Sequence, residues 1–348
     1  MLSRHGVKVI LASHNAVGID GVEDLGPLRG YYDYFCCVKQ IRSLVKKYKP
    51  DLIHAHGATH YGVTAAFIKE VPYVLALWGS DIMLAPVAGP FPKRLFYRAI
   101  IRFSTRRASL CHSSSMHVCQ KAAEISRQPI TKFKAWFWGV IPDNLWMLPS
   151  EAVTLKMQNE FSIGEKVVLC GRGMRSIYRP ETVASVIKEF TKKQKDKKFQ
   201  FVVLRGFAED SDVENFLRQL QGYENSFIFI DRLLNEDELS FIYNRSIAHI
   251  SIPVSDSLGG GVIEPAMAGS FPVLSDIPGN TWFVNKHFGC IVGTTSNQLI
   301  DVLRVVNTLL EIFDRSAISD NELEKLRSEF CADTIAYKMI QMYENIRA

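Results

Sequence analysis

Residues 249–289 constrain the fold more than any other stretch of this chain. They begin with an apolar run of β-forming residues and continue into a loop of Asp, Ser and Gly. Gly259, Gly260 and Gly261 end that loop, and Glu264 follows in the first turn of a segment with helical character. This order predicts a strand, a loop of bare backbone and the start of a helix. Such a junction directs free N–H groups and the positive end of a helix dipole at one point, which suits a phosphate or a diphosphate.

Glu264 indicates what lies beside that phosphate. A carboxylate repels phosphate oxygens, but it accepts hydrogen bonds from neutral hydroxyl groups such as those of a ribose. A nucleotide sugar presents both kinds of group. The alternative interpretation is a phosphate-binding loop in some other α/β protein.

The same stretch resembles the C-terminal-domain signature of the retaining glycosyltransferases of family 4. That signature is an acidic residue, seven further residues and a Glu, matched here by Asp256 and Glu264. The family usually has Glu at the first position, and this chain has Asp. The small-residue segment and the Pro-Gly-Asn turn at residues 265–280 also resemble the family. The resemblance implies an α/β chain of the GT-B fold, in which two Rossmann-like domains with parallel sheets face each other across a cleft.

The resemblance also assigns roles within this stretch. Glu264 would hold the ribose of the donor, and Asp256, a candidate catalytic residue, would orient the hydroxyls of its sugar. The backbone N–H groups of Gly260 and Gly261 would bind the diphosphate.

A second strand, loop and helix begin near residue 167. The loop carries several arginines, and Pro180 occupies the first turn of the helix, a combination that suits an anion. Family members keep an Arg and, about six residues on, a Lys here for the donor diphosphate. The resemblance therefore implies that Arg172 and Arg179 bind the diphosphate leaving group. Surface arginines without that role are the alternative.

Another candidate loop is Trp78-Gly79-Ser80-Asp81, which follows the apolar run at residues 73–77. Ligands of open α/β sheets bind at the carboxyl ends of strands, so this loop is expected to face the cleft on the acceptor side. The family commonly has a His-Gly pair here, and Trp78 stands where that His is expected. Because a Trp can neither relay a proton nor accept a hydrogen bond, Asp81 becomes the second candidate catalytic residue. Capping of the next turn is the alternative role of Asp81.

A basic stripe follows in residues 82–123, which contain no Asp or Glu. Its arginines recur every four residues, as Arg94, Arg98, Arg102 and Arg106. This spacing, with aromatic residues between, predicts a helix that lies on anionic lipid headgroups. A solvated basic face is the alternative. We do not expect nucleic-acid binding, since no recognised motif accompanies the stripe.

The length of 348 residues allows two α/β domains. We predict an acceptor domain at residues 1–149, a nucleotide-sugar domain at 150–325 and a C-terminal helix at 326–348 that packs back on the first domain. Relatives of this type have a strand and a glycine loop before the strand at residue 7, so the N-terminus is expected to be shortened by that first strand.

Composition narrows the location and the chemistry. No run of 18 uncharged apolar residues is present, so no membrane span is expected. The seven scattered cysteines favour a reducing, cytoplasmic compartment. His54, His56 and His60 are close in sequence, but no carboxylate or cysteine completes a metal site there. We therefore expect no metal ion and no cofactor.

Together these features predict a retaining, metal-independent hexosyltransferase. It would move a sugar from a UDP- or GDP-linked donor to a saccharide or lipid-linked acceptor. The resemblance suggests bacterial surface polysaccharide or lipopolysaccharide synthesis, at the inner face of the plasma membrane. Two alternatives remain open: a catalytically inactive partner subunit, and a nucleotide-sugar epimerase or hydrolase of the same fold.

Overall fold

The computed structural model describes residues 1–139, 142–164, 166–194, 199–295, 297–312 and 317–347. The chain divides into two compact units, residues 1–138 with 333–348, and residues 139–332. Within the described ranges, no helix combines the length and the apolar character needed to cross a bilayer.

The first unit is built around a four-stranded parallel sheet of order β3-β4-β5-β6, and β1 and β2 pair in parallel with each other. Its strands are β1 (Leu11–Ser13), β2 (Val22–Asp24), β3 (Ile53–His56), β4 (Tyr73–Leu77), β5 (Leu110–Ser113) and β6 (Phe133–Ala135). Its helices before the second unit are α1 (Asp33–Cys36), α2 (Val38–Tyr48), α3 (Gly62–Ala66), α4 (Ser80–Met83), α5 (Phe91–Arg107) and α6 (Met116–Ser126).

Strand β4 is an interior strand of this sheet. Every residue of its sequence Tyr-Val-Leu-Ala-Leu is buried, as expected for a strand that helices cover on both faces. Leu75 on β4 joins Ile101 of α5 and Val118 of α6 in one apolar cluster. The basic helix predicted from the arginine spacing is α5, and its buried side carries Ile100, Ile101, Ser104 and Thr105.

The second unit contains a six-stranded parallel sheet of order β12-β11-β10-β7-β8-β9. Its strands are β7 (Val167–Cys170), β8 (Gln200–Leu204), β9 (Phe227–Ile230), β10 (Ser246–Ser251), β11 (Phe271–Ser275) and β12 (Cys290–Val292). Its helices are α7 (Glu151–Phe161), α8 (Pro180–Lys193), α9 (Asp210–Gln219), α10 (Glu236–Arg245), α11 (Gly260–Met267), α12 (Pro278–Lys286), α13 (Gln298–Ile312) and α14 (Asp320–Phe330).

The boundary between the units falls after Trp138, whereas the sequence favoured residue 149. The reason is local hydrogen bonding. The carbonyl oxygen of Met147 accepts hydrogen bonds from Ser240 Oγ at 2.6 Å and from Asn244 Nδ2 at 2.7 Å, both on α10. The segment before residue 149 is therefore held by the second unit.

The last helix, α15 (Ala332–Arg347), belongs to the first unit from Asp333 onward. It buries Ile335 and Ala336, and the hydroxyl of Tyr343 lies 2.8 Å from Nδ1 of His54 on β3. The predicted start of this segment at residue 326 lies within α14, which stays in the second unit.

A hydrogen-bonded pair of histidines, of which His112 is fully buried, continues the contact between α15 and the sheet. Nε2 of His54 and Nε2 of His112 are 2.8 Å apart, so one of the two nitrogens donates a proton to the other. Burial lowers the pKa of His54 well below its usual value and that of His112 to about 3. Both rings are neutral in the folded protein at neutral pH, because burial penalises the charged form of each.

We expect the first unit to lose stability as the pH falls from 6.5 toward 5. In this window the unfolded histidines bind protons and the buried ones do not, so acid favours the unfolded state. The contribution of His112 is about 2 kcal/mol over that range. Hydrogen exchange of the β3 and β5 amides, corrected for intrinsic rates, measures this unit alone, and His112→Gln should flatten its pH dependence. Tyr343→Phe is the control, because it removes one hydrogen bond, worth about 1 kcal/mol at every pH, and leaves both histidines in place. An unchanged slope in His112→Gln would contradict the assignment.

Candidate functional site

The strand order of the second unit creates a site at one place. The chain runs from β7 outward through β8 to β9, then returns to β10 on the other side of β7 and continues to β11 and β12. The loops after β7 and β10 therefore leave adjacent strands in opposite directions at the carboxyl edge of the sheet. Ligands of open α/β sheets bind at such a reversal of strand order. Both loops predicted from the sequence to bind the diphosphate lie here.

Arg172 follows β7 and is the central side chain of this site. It forms an ion pair with Asp256, which lies on the loop after β10, and its guanidinium carbon is 4.8 Å from the centre of the Tyr178 ring. Its side chain is only 14% exposed. Among the described residues, Nε of Arg172 has no hydrogen-bond partner. Arg172 is thus held in place with one buried N–H group left for an acceptor oxygen.

The three glycines let side chains lie directly against the backbone at the start of α11. A Cβ atom at Gly259 would lie 2.8 Å from Nη1 of Arg172, and one at Gly261 would lie 2.9 Å from it. A Cβ atom at Gly260 would clash with Oε1 of Glu264. The first N–H groups of a helix have no acceptor within it. The absence of side chains therefore brings Arg172, Glu264 and these N–H groups together.

Glu264 is held from the other side by Tyr243 on α10. The Tyr243 hydroxyl donates a 3.0 Å hydrogen bond to Oε2 of Glu264. Burial raises the pKa of Glu264, while the Tyr243 hydrogen bond and the charge of Arg172 oppose that rise. Oε1 is the oxygen on the glycine side, so the carboxylate presents one acceptor to the site and uses the other for its own orientation.

Asp256 contacts Arg172, in addition to its predicted role toward the sugar hydroxyls. Burial raises its pKa, and the positive charge of Arg172 opposes that effect. Its ion pair with Arg172 means that a bound anion would share the guanidinium with this carboxylate.

Arg179, the other residue predicted to bind the diphosphate, is paired with an acid. Its Nη2 donates a 2.5 Å hydrogen bond to Oδ2 of Asp301 on α13, and the Asp301 side chain is buried. Oδ1 of Asp301 also accepts the Thr295 N–H at 2.8 Å. Within the described part of the chain, no contact joins Arg179 to Arg172 or Glu264. The sequence spacing placed Arg179 in the right loop, but the acid that neutralises it lies 122 positions away.

In the first unit, the predicted catalytic residue Asp81 is buried and accepts three backbone hydrogen bonds. The donors are the N–H groups of Ala58 at 2.6 Å, Trp78 at 3.1 Å and Gly79 at 3.0 Å. Burial raises the pKa of Asp81 to about 6, and these hydrogen bonds oppose that effect. Asp81 therefore ties the loop after β3 to the loop after β4. This geometry suits a residue that positions two loops.

The acceptor-side residues predicted next to Asp81 have distinct environments. Gly79 is buried with φ of +98°, a conformation that L side chains rarely adopt. Ser80 is exposed. The Trp78 side chain is 54% exposed, and its ring lies 5.9 Å from that of His56 and 5.2 Å from that of Trp138.

Sequence reasoning missed the rings beside Trp78. We call His56, Trp78 and Trp138 the ring cluster. His56 ends β3, Trp78 follows β4 and Trp138 follows β6, so only the pairing of these strands brings them to one edge. The Trp-Phe-Trp sequence at residues 136–138 was the available signal, because its alternation directs two indoles to the same side.

The predicted membrane stripe on α5 is divided by the structure. Nε of Arg102 donates to the carbonyl of Ile125 at 2.7 Å, and Nε of Arg106 donates to that of Ser126 at 3.2 Å. Both carbonyls end α6, where cations are favoured by the helix dipole. Arg102 and Arg106 therefore hold α6, which leaves Arg94 and Arg98 nearer the start of α5.

The start of α5 also exposes three large apolar side chains. They are Phe91, Leu95 and Phe96, of which Phe91 is 74% exposed. With Lys93, Arg94 and Arg98 they form a surface that we call the α5 tip. It joins exposed apolar groups to positive charge, a combination that sequence spacing alone did not separate from the rest of the stripe.

The histidines of the first unit are the side chains most suited to bind a metal ion. Within the described residues, no group of three His, Cys, Asp or Glu side chains is arranged to hold a metal ion. His54 uses Nε2 toward His112 and Nδ1 toward Tyr343, so neither of its nitrogens is left for a metal.

Comparison with known proteins identifies the GT-B fold that the sequence predicts. Residues 2–115 match the glycosyl transferase 4-like family. No curated protein sequence matches the chain significantly. The HepE protein of Anabaena, solved in complex with UDP, is similar with a TM-score of 0.72 and 16% identity, over 93% of this chain and 86% of that one.

Two further solved structures are similar. Sucrose-phosphate synthase from Thermosynechococcus elongatus has a TM-score of 0.73 and 13% identity, over 92% of this chain and 80% of that one. A glycosyltransferase from Rickettsia africae has a TM-score of 0.73 and 13% identity, over 99% of this chain and 91% of that one. The chain has the GT-B fold of these structures, and residues 2–115 match a glycosyltransferase family. The predicted fold class and enzyme class are confirmed.

Asp81→Asn in this glycosyltransferase tests whether Asp81 positions loops or takes part in chemistry. An amide has one acceptor oxygen and would turn its NH₂ toward backbone donors, so we expect the first unit to lose about 2 to 3 kcal/mol. Thermal unfolding together with exchange of the β3 and β4 amides measures this loss. Ser80→Ala, an exposed neighbour, should change stability by less than about 0.5 kcal/mol. A variant that is as stable as the wild type but inactive in sugar transfer would favour the catalytic role instead.

Proposed function

We propose that this glycosyltransferase transfers a sugar from a uridine-diphosphate donor held by the second unit. The observation that carries the proposal is the convergence of Arg172, the bare N–H groups of α11 and Glu264 at the reversal of strand order. Arg172 and the helix start suit the diphosphate, and Glu264 suits a ribose hydroxyl. Uridine is chosen over guanosine because HepE, which has the same fold, was solved with UDP and with UDP-glucose.

In the proposed reaction, Arg172 acts where charge develops. Breaking the glycosidic bond leaves negative charge on the diphosphate, and a preorganised guanidinium with an unused buried N–H stabilises that charge. Arg172 needs no large movement, since the Asp256 pair and the Tyr178 ring already hold it. Asp256 lies beside Arg172, and its proposed role is to bind the hydroxyls of the donor sugar. Arg179, which lies at the start of α8 and pairs with Asp301, is the second proposed ligand of the diphosphate.

The stereochemistry is proposed from the resemblance to family 4. The acceptor hydroxyl attacks on the face that the diphosphate leaves, and the departing phosphate takes its proton, so the product retains the anomeric configuration. The proposal includes no metal ion and no cofactor, so transfer should continue in the presence of EDTA.

Calorimetric titration with UDP tests the donor site. We expect Arg172→Met to weaken UDP binding by about 100-fold, because a charge-assisted contact with the diphosphate is lost. Arg175→Met is the matched control in the same loop. Its guanidinium bonds to the Phe207 carbonyl at 3.1 Å, so UDP affinity should stay unchanged.

Glu264→Ala completes the same test. The wild type should prefer UDP to its 2′-deoxy or 3′-deoxy analogue, and Glu264→Ala should lose that preference. Equal loss in Arg172→Met and Arg175→Met would indicate general disruption of the loop and contradict the site. Absence of UDP binding in the wild type would favour the inactive partner subunit. Rapid release of UDP from UDP-glucose without an acceptor would favour a hydrolase.

For the acceptor, we propose a saccharide carried on a lipid and reached at the membrane surface through the α5 tip. Exposed aromatic and aliphatic side chains beside basic ones insert into the headgroup region of anionic bilayers. A role in bacterial surface polysaccharide synthesis, at the cytoplasmic face of the membrane, is the process we propose from the family resemblance.

Vesicle flotation tests the α5 tip. The wild type should bind phosphatidylglycerol-containing vesicles and release them at high salt, whereas Phe91→Ser combined with Leu95→Ser should reduce binding by about tenfold or more. Phe207→Ser is the control, since Phe207 is an equally exposed aromatic residue in the second unit. Wild-type protein that stays unbound, or a double variant that binds as well as the wild type, would contradict membrane contact through this surface.

A further inference from the structure

The ring cluster at the carboxyl edge of the first sheet has the chemistry of a sugar-binding surface. Trp78 exposes about half of its side chain there, the fraction being 54%. The Trp138 ring meets it at 74° and the His56 ring at 65°, so the three rings form walls rather than a flat stack. An exposed indole framed by two other rings offers both a face and edges to a ligand.

Polar atoms next to that face lack partners. Within the described residues, Nδ1 of His56 and Nε1 of Trp138 are buried and make no hydrogen bond. Buried polar atoms are normally satisfied, so their rings are suited to a ligand that brings hydroxyl groups. Together with the indole face, these atoms favour a ligand that has an apolar face and hydroxyl groups at its edges.

The charge state of His56 favours a neutral ligand. Burial lowers the pKa of His56, so its ring is uncharged at neutral pH. The carboxyl of Asp81 accepts the Trp78 N–H. Among the described residues, the ring contacts of His56 and Trp138 are all with other aromatic rings, so these two rings offer a ligand polar atoms without charge.

A pyranose ring matches these three properties. Its C–H face is apolar and carries slight positive charge, which is attracted to the negative face of an indole. Its hydroxyls can donate to a histidine nitrogen and accept from an indole N–H. The surface lies at the carboxyl ends of β3, β4 and β6, the edge at which open α/β sheets bind ligands.

We propose that the ring cluster binds the terminal sugar ring of the acceptor by stacking it on Trp78, with Nδ1 of His56 and Nε1 of Trp138 bonding to its hydroxyls. This inference rests on the proposed function, since it assigns the acceptor subsite of the same transferase. It makes Trp78 a residue that selects the acceptor, in place of the proton-relaying role that a histidine could serve at that position.

The test uses a ligand without a nucleotide. Saturation-transfer NMR on the full-length protein, with methyl glycosides of glucose, galactose, mannose and N-acetylglucosamine at millimolar concentration, reports which ring protons touch the protein. We expect transfer to the C–H protons of at least one glycoside. Trp78→Ala should weaken that binding by about tenfold or more, and Trp78→Phe, which keeps an aromatic face, by only a few fold.

Trp282→Ala is the matched control, because Trp282 is also exposed, at 43%, and lies in the second unit. It should leave glycoside binding unchanged. UDP titration of every variant shows that the fold and the donor site persist. Loss of UDP binding with glycoside binding intact would count against the proposed function and not against this subsite.

Three results would overturn the proposal. One is the absence of transfer to any glycoside, and another is equal transfer in the wild type and in Trp78→Ala. The third, in the same NMR experiment repeated with UDP, is transfer to uridine protons that disappears only in Trp78→Ala, which would show that the indole stacks on a nucleobase instead.

Discussion

Parallel strand pairing is the constraint on which both units depend. Parallel strands require a crossover after each strand, so both faces of the sheet are covered and every strand ends at the same edge. In the second unit this places the loops after β7 and β10 side by side, where the strand order reverses. In the first unit it gathers the ends of β3, β4 and β6, and with them the ring cluster. Ligands of open α/β sheets bind at these edges, because the loops that follow neighbouring strands lie side by side there.

The three glycines at the start of α11 also allow two side chains to lie close against the backbone. Arg172 and Glu264 approach the start of α11 so closely that a methyl group on any of the three glycines would contact one of them at 2.9 Å or less. Each of the two side chains is in turn held by another group, Arg172 by Asp256 and Glu264 by Tyr243. Contacts within the protein therefore order both side chains, which lowers the cost of ordering them on binding.

Several predicted residues also make structural contacts. Arg102 and Arg106 satisfy carbonyls at the end of α6, Arg179 pairs with Asp301, and Asp81 joins two loops. Sequence spacing identified the right segments in each case, because periodicity and loop composition are local properties. It could not show which charged group finds a partner, since Asp301 lies far from Arg179 along the chain. The parts of the basic stripe that remain for a partner are those at the start of α5, beside exposed Phe91 and Leu95.

By itself the sequence determined the α/β class, the strand-loop-helix junctions around Arg172 and Gly260, and the helix that carries the basic stripe. These follow from hydrophobic periodicity, glycine runs and proline positions, each of which acts within a few residues. Only the tertiary structure decided that α15 bonds to His54 through Tyr343, that Tyr243 orients Glu264, and that His56, Trp78 and Trp138 meet at one edge. Those contacts depend on strand order and on long-range packing, and sequence patterns do not encode which distant strands become neighbours.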